Sequence, residues 1–387
     1  MANISVQRAE PTRFVLEGVP RVGFYQGGVR CPEDICFPAV MRACMEYLGD
    51  ADLGCKHAGA LKPGCKVSCT YAYMLGVSGV ASFLSWRPGW HMDNFEIRYM
   101  SDDPAAPFER AFEAAGYAPE YAGKGQGHDE AHFRSRLIGS LRDRGRPAIA
   151  FGIVGPPEAC IVTGYDEGGD VLIGWNFFQD DPGSNAGVGS EPNGYFRKRD
   201  WFKACEGLLL FGEKREKPKL GEIYRKALQW NVQVARTPRV TAYGHERHTG
   251  LAAYSAWAEQ LTHDEDFPAD DEALLREHHQ VHDQMVGLVA EARWYGSQFL
   301  VGMTEIVDAG VHRDAIEDLY HAAAYCAGEH ELMWQVWDLA GGIGNPEAWR
   351  KMADPAVRRR MAPIILESGG KCARAADHME RALGKWR

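Results

Sequence analysis

The sequence has no histidine between His132 and His245, no run of about 18 apolar residues and no excess of basic charge. The first absence leaves over a hundred residues without the side chain that most readily shuttles protons near neutrality. The second excludes a membrane-spanning helix. With 53 acidic residues against 43 basic ones the net charge is −10, which argues against nonspecific binding to nucleic acid or to an anionic membrane. The opening residues MANISVQRAEPTRF lack the apolar core of a secretion signal. Ten cysteines in such a chain read as reduced thiols, so the expected compartment is the cytoplasm. Internal repeats and low-complexity tracts are also missing. No cofactor pattern emerges: the glycine-rich DDPGSNAGVGSEPNGY (180–195) lacks the Lys and the strand–helix context of a phosphate loop. It reads as a long surface loop, well placed as a lid or substrate-binding flap.

What is present is an ordinary globular composition, 45% hydrophobic and 25% charged, over 387 residues, a length that suggests two domains. Residues 1–213 mix short apolar strands with helices. The strand signals are 148–154, 160–166, 171–175 and 208–211, and helices are expected around 36–48 and 131–144. The turn DEGGD between the second and third strands, with Gly168 and Gly169 supplying positive φ, makes them an antiparallel hairpin. The first domain is therefore α+β. The charged run EKREKPK (213–219) reads as a linker. Beyond it, in 214–387, apolar residues recur at helical spacing from Tyr254 to Phe299, and further helices are expected over 312–338 and 355–383 with a break at GGIGNP. This half is expected to be an all-α bundle.

The segment CFPAVMRACMEYLG, Cys36 to Gly49, places a cysteine at the start of a buried helix. Phe37, Val40, Met41, Cys44, Met45 and Leu48 follow the i, i+3, i+4, i+7 rhythm, and Pro38 suits the first turn. A thiol beside unpaired helix N–H groups tends toward a lowered pKa, which makes Cys36 a candidate nucleophile. The alternative is a buried structural cysteine.

Three segments resemble the papain-like cysteine peptidase superfamily, and within it the bacteriocin-processing peptidase domains and the N-terminal domain of butirosin biosynthesis protein H. They are the Cys36 segment, GVSGVASFLSW (76–86), and the strand–turn–strand PEACIVTGYDEGGDVLIGWN (157–176). The resemblance implies a nucleophile helix packed on an antiparallel sheet, followed by an appended helical domain. It also implies nucleophilic catalysis in which Cys36 attacks a carbonyl and Asn176 orients the proton shuttle. Gln26, somewhat farther from the cysteine than the pattern expects, and the helix N-terminus would be the oxyanion donors. The family histidine falls on Glu158, or with a one-residue slip on Ala159. Either Glu158 replaces it, or His91, His128, His245 or His248 arrives from elsewhere, or the protein is a pseudoenzyme.

Two readings follow. One is a cysteine-dependent hydrolase or acyltransferase acting on an amide or thioester of a small molecule or peptide, with no metal and no cofactor. The other is a catalytically silent protein that uses the same cleft to hold a ligand bearing a cation or hydrogen-bond donors. Cys55, His57, Cys65 and Cys69 suit tetrahedral zinc by type, but their spacing matches no standard finger, so a cluster of reduced thiols is the expectation. Cys31 and Cys36 are a further possible disulfide. His278 and His282 stand at i, i+4, yet without paired Glu-x-x-His motifs they read as a solvated or half-buried polar face. Trp175 and the tryptophans of ELMWQVWDL (331–339) read as core.

Overall fold

The computed structural model describes residues 11–25, 32–51, 69–306 and 309–386. Among these the strands are β1 (Phe14–Val15), β2 (Ser85–Trp86), β3 (Tyr117–Gly123), β4 (Ala148–Phe151), β5 (Ala159–Asp166), β6 (Val171–Trp175), β7 (Val188–Ser190), β8 (Phe196–Arg199), β9 (Gly207–Lys214), β10 (Arg239–Ala242) and β11 (His245–Thr249). The helices are α1 (Cys36–Tyr47), α2 (Cys69–Ser78), α3 (Ala106–Ala115), α4 (Glu130–Ile138), α5 (Trp201–Ala204), α6 (Leu220–Arg236), α7 (Leu251–Gln260), α8 (Glu272–Ile306), α9 (Ala309–Ala340), α10 (Trp349–Met352) and α11 (Pro355–Lys385). No helix of the described residues is long and apolar enough to cross a membrane.

The larger sheet is antiparallel, in the order β3-β9-β4-β5-β6-β8-β7, with β1 paired to β5 beyond the end of β4. The β5–β6 hairpin forms at DEGGD as its glycines require, with φ of +66° at Gly168 and +100° at Gly169. Strands β4 and β6 are buried along their whole length, which is why their sequences are apolar without alternation. The region taken for a free loop, 180–195, is partly sheet: β7 pairs with β8, Asp180 bonds Arg21 at 2.7 Å and Glu191 bonds Arg13 at 2.9 Å. Those contacts fasten it to the N-terminal segment.

Helix α1 starts at Cys36, as its apolar spacing and Pro38 predict, and is buried from Cys36 through Met45. It packs between β5 and α2. Helix α2 in turn meets α3, α6 and α8. Its contact with α8 is close because of a glycine: a methyl group on Gly76 would lie 2.3 Å from the Phe299 ring. Trp230 and Asn231 of α6 donate to the carbonyls of Ser78 and Gly76 at 2.9 and 2.7 Å, satisfying two of the acceptors that end α2.

The C-terminal region is dominated by α8, α9 and α11, with α9 packed on both of the others. The break at 341–346 and the start of α11 fall where expected, with Asp354 accepting from the Ala356 N–H at 2.8 Å and Pro355 in the first turn. The expectation of an all-α second half is corrected by β10 and β11. Their hairpin turns at Tyr243–Gly244, with φ of +50° and +78°, and adds to β2 through His248↔Trp86 and Thr249↔Ser85. Polar residues alternating with buried ones in RVTAYGHERHT hide this strand pair from a reading based on apolar runs. The charged run 213–219 starts inside β9 and continues to α6. Most buried apolar residues form one core running from Leu16 to Trp386, with Tyr99, Val240 and Ala242 as a small separate cluster.

One buried ion pair joins the parts. Arg293 of α8, 1% exposed, donates to the carbonyls of Ala81 at 2.6 Å and Phe83 at 3.2 Å, to the Tyr254 hydroxyl at 2.9 Å and to Glu329 of α9 at 3.2 Å. Glu329 is fully buried and also accepts from Tyr254 at 2.6 Å. Arg293→Met would strand that carboxylate, and we expect a loss of about 3–5 kcal/mol in urea unfolding.

Candidate functional site

The thiol of Cys36 lies at the opening of α1, only 6% exposed, with its Sγ 3.8 Å from the Asp34 carbonyl. The Glu158 carboxyl lies beside it, near enough to act on the thiol's proton affinity. Glu158 sits immediately before β5, half-buried, in a turn closed by its own N–H to the Pro156 carbonyl at 2.7 Å and by the Gly152 N–H to its carbonyl at 3.3 Å. Because α1 packs on β5, the residue at the entry of that strand is brought to the first residue of the helix. The structure therefore brings Cys36 and Glu158, both singled out in the sequence, together.

Electrostatics at this pair differ from a thiolate–imidazolium couple. Burial, followed by the carboxyls of Glu158, Asp34 and Glu291, pushes the Cys36 thiol well above its ordinary range. Burial and then Glu96 push Glu158 up to about 8, against the opposing pull of Arg98, of Cys36 and of the Ala159 N–H. Arg98 is held at 2.9 Å by Glu96 and at 2.8 Å by Glu206, with its guanidinium over the Phe151 and Tyr243 rings.

Asn176 is buried, but its side chain serves a turn. Its Oδ1 accepts from the Phe178 N–H at 2.7 Å. Its backbone N–H donates to Gln179 at 3.1 Å. Gln26 lies outside the described residues. The substitute histidines are occupied elsewhere. His245 Nδ1 lies 3.3 Å from Arg87, and His248 stands opposite Trp86 in the β11–β2 register. His128 stacks on His132 at 4.0 Å, and His91 precedes the short turn Met92–Phe95. Trp175 is core, donating to the Val19 carbonyl at 2.9 Å, and Trp337 packs in the bundle with its indole on Asp283 at 2.7 Å.

Several residues of the site had no local signal. Asp34 lies just ahead of α1 and accepts from the Tyr25 N–H at 2.7 Å. Glu291 arrives from α8 and accepts from the Asp34 N–H at 2.8 Å, the Ile35 N–H at 3.2 Å and the Tyr71 hydroxyl. A single carboxylate within the apolar MVGLVAEARWY was the only clue to it. Glu96 and Arg98 sit in a short turned segment whose sequence carries no motif.

Among the described residues no group of three or more His, Cys, Asp and Glu is placed to hold a metal ion. Cys31, Cys55, His57 and Cys65 lie outside them. Cys69 is disulfide-bonded, which corrects the expectation of a reduced thiol there, whereas Cys36, Cys44, Cys160, Cys205, Cys326 and Cys372 are free and buried. His278 and His282 are also not a polar face. They are buried against Trp90, Trp257 and Phe267, with His278 Nδ1 on the Asp266 carbonyl at 2.7 Å and His282 Nδ1 accepting from the Trp257 indole at 3.2 Å.

Two measurements follow from these environments. Alkylation of Cys36, read by peptide mass spectrometry, should show a midpoint above the ordinary thiol value of about 8.5 and slow labelling at pH 7. Burial, helped by His279, depresses His282 to about 3, so the folded protein keeps this ring neutral while the unfolded chain protonates it near pH 6.5. Stability should therefore fall as pH drops from about 6.5 toward 3, and His282→Gln should flatten that slope in thermal melts. No family profile matches this chain, and no curated protein is significantly similar to it.

Proposed function

We propose that the protein is a cysteine-dependent acyl-transferring or hydrolytic enzyme of papain-like plan in which Glu158 replaces the usual histidine. The observation that carries this reading is the Cys36 thiol lying beside a carboxyl group, Glu158, whose proton affinity is pushed up to about 8. A thiol held in its neutral form cannot attack as a pre-formed thiolate. Its proton must pass to Glu158 as the sulfur–carbon bond forms, which is general-base rather than ion-pair catalysis. Glu158, now protonated, then gives that proton to the departing amine or thiol as the carbon–heteroatom bond breaks, leaving an acyl group on Cys36. Water or an acceptor amine repeats the sequence in reverse, again losing its proton to Glu158. The first-turn N–H groups of Cys36 and Phe37, which have no helical carbonyl four residues behind them, supply donors for the oxyanion. The substrate class is an amide or thioester of a small molecule or peptide.

The experiment is incubation with a simple aryl thioester followed by intact and peptide mass spectrometry. The wild type should acquire an acyl group on Cys36, at a rate that rises with pH through about 8 as Glu158 ionises. Cys36→Ser should remove the adduct, and Glu158→Gln should slow its formation by about 10²–10⁴-fold. Equal labelling of the Cys36→Ser protein, or acylation indifferent to Glu158, would overturn the enzyme reading.

The three carboxyls that raise the thiol favour a second reading, in which Cys36 stays protonated and the cleft holds a ligand bearing positive charge or hydrogen-bond donors. An inert Cys36 in the same experiment selects it.

A further inference from the structure

The cysteine helix does not begin on its own terms. Ile35 precedes α1 without any side-chain cap of its own. The N–H groups of Asp34 and Ile35 instead point at one oxygen of Glu291, a residue 7% exposed and contributed by α8 of the C-terminal region. The Tyr71 hydroxyl of α2 donates to that same Oε1. The backbone N–H groups just ahead of the helix are thus held by a carboxyl from a distant part of the chain, while those of Cys36 and Phe37 in the first turn are not taken by it.

We propose that Glu291 is a positioning residue of the Cys36 site: by seating its carboxyl on the Asp34 and Ile35 N–H groups just ahead of α1, it fixes the start of the helix that carries the thiol. The inference rests on Cys36 being the nucleophile, and it explains why that thiol needs a base in contact with it. The charged and titratable groups facing Glu291 are known from each element around it. They are Asp34 and Glu33 ahead of α1, Cys36 on α1, Tyr71 on α2 and Tyr295 one turn along α8. Arg42 is directed to Glu33 at 2.8 Å and to Glu46 at 2.9 Å. Glu158 approaches the thiol from the opposite, β5 side. Burial and then Asp34 push Glu291 up, burial pushes Asp34 up to about 6, and the two carboxyls act on Cys36 together.

The test is the pH profile of Cys36 alkylation by iodoacetamide in the full chain, with thermal melts run in parallel. Glu291→Gln keeps an oxygen for the two N–H groups and removes only the charge. It should lower the alkylation midpoint by about one unit, which is about tenfold more thiolate at any pH below it. Glu291→Ala also frees the N–H groups and should lower the midpoint further. If Glu291→Ala does not fold, the near-isosteric Gln variant still decides. A folded Gln variant with a reduced melting temperature and an unmoved midpoint overturns the inference, because a purely structural role moves the first and not the second. Failure of the wild type to form a Cys36 acyl adduct is a separate result that strikes the enzyme reading, and the midpoint shift is measured without reference to it.

Discussion

Helix α8 holds the molecule together through two residues of opposite charge, spaced two apart. Glu291 accepts the N–H groups that precede α1, and Arg293 donates to the carbonyls of Ala81 and Phe83 just beyond α2. One helix thereby satisfies backbone donors at the start of the cysteine helix and backbone acceptors after its neighbour. Buried charges of this kind are stabilising only when every partner is in place, and here the partners come from α1, α2, α7 and α9. The consequence is structural economy of placement: removing α8 would leave both polar ends unpaired and the Gly76 surface bare.

The same closeness sets the chemistry. Cys36 combines deep burial with a shell of three carboxyls, none of them from its own helix. An isolated helix N-terminus would draw the thiol toward ionisation, whereas here burial and the neighbouring carboxyls outweigh it. Burial raises Glu158 as well, and a carboxyl drawn up to about 8 can take and return a proton near neutrality where a solvated one cannot. The site is thus intelligible as two displaced groups in contact rather than as a weakened copy of a thiolate–imidazolium pair.

Much of this was legible in the residues and some was not. The start of α1 followed from Pro38 and the spacing of Phe37, Val40, Met41 and Cys44, because a buried helix must repeat its apolar residues near 3.6. The β5–β6 hairpin followed from Gly168 and Gly169, whose positive φ few other residues tolerate. The meeting of Cys36 and Glu158 was approachable only through the resemblance, which puts the histidine of the pattern on Glu158. By contrast, the β10–β11 pair lacks both apolar runs and an Asn-Gly turn, so its partnership with β2 is a tertiary fact. Glu291 was invisible for the same reason: a lone acid among apolar residues carries no address, and its partners lie 256 and 257 residues away.

That separation has a temporal side. A ribosome adding roughly 5–20 residues per second needs on the order of tens of seconds to travel from the cysteine helix to its capping carboxyl. Throughout that interval the nascent N-terminal region must hold the opening of α1 with solvent in place of Glu291. Until α8 has been made and docked, the thiol lacks the Glu291 carboxyl that helps raise it in the folded protein. Chemical exposure of Cys36 is in this sense a property of the protein's infancy, closed off by its own completion.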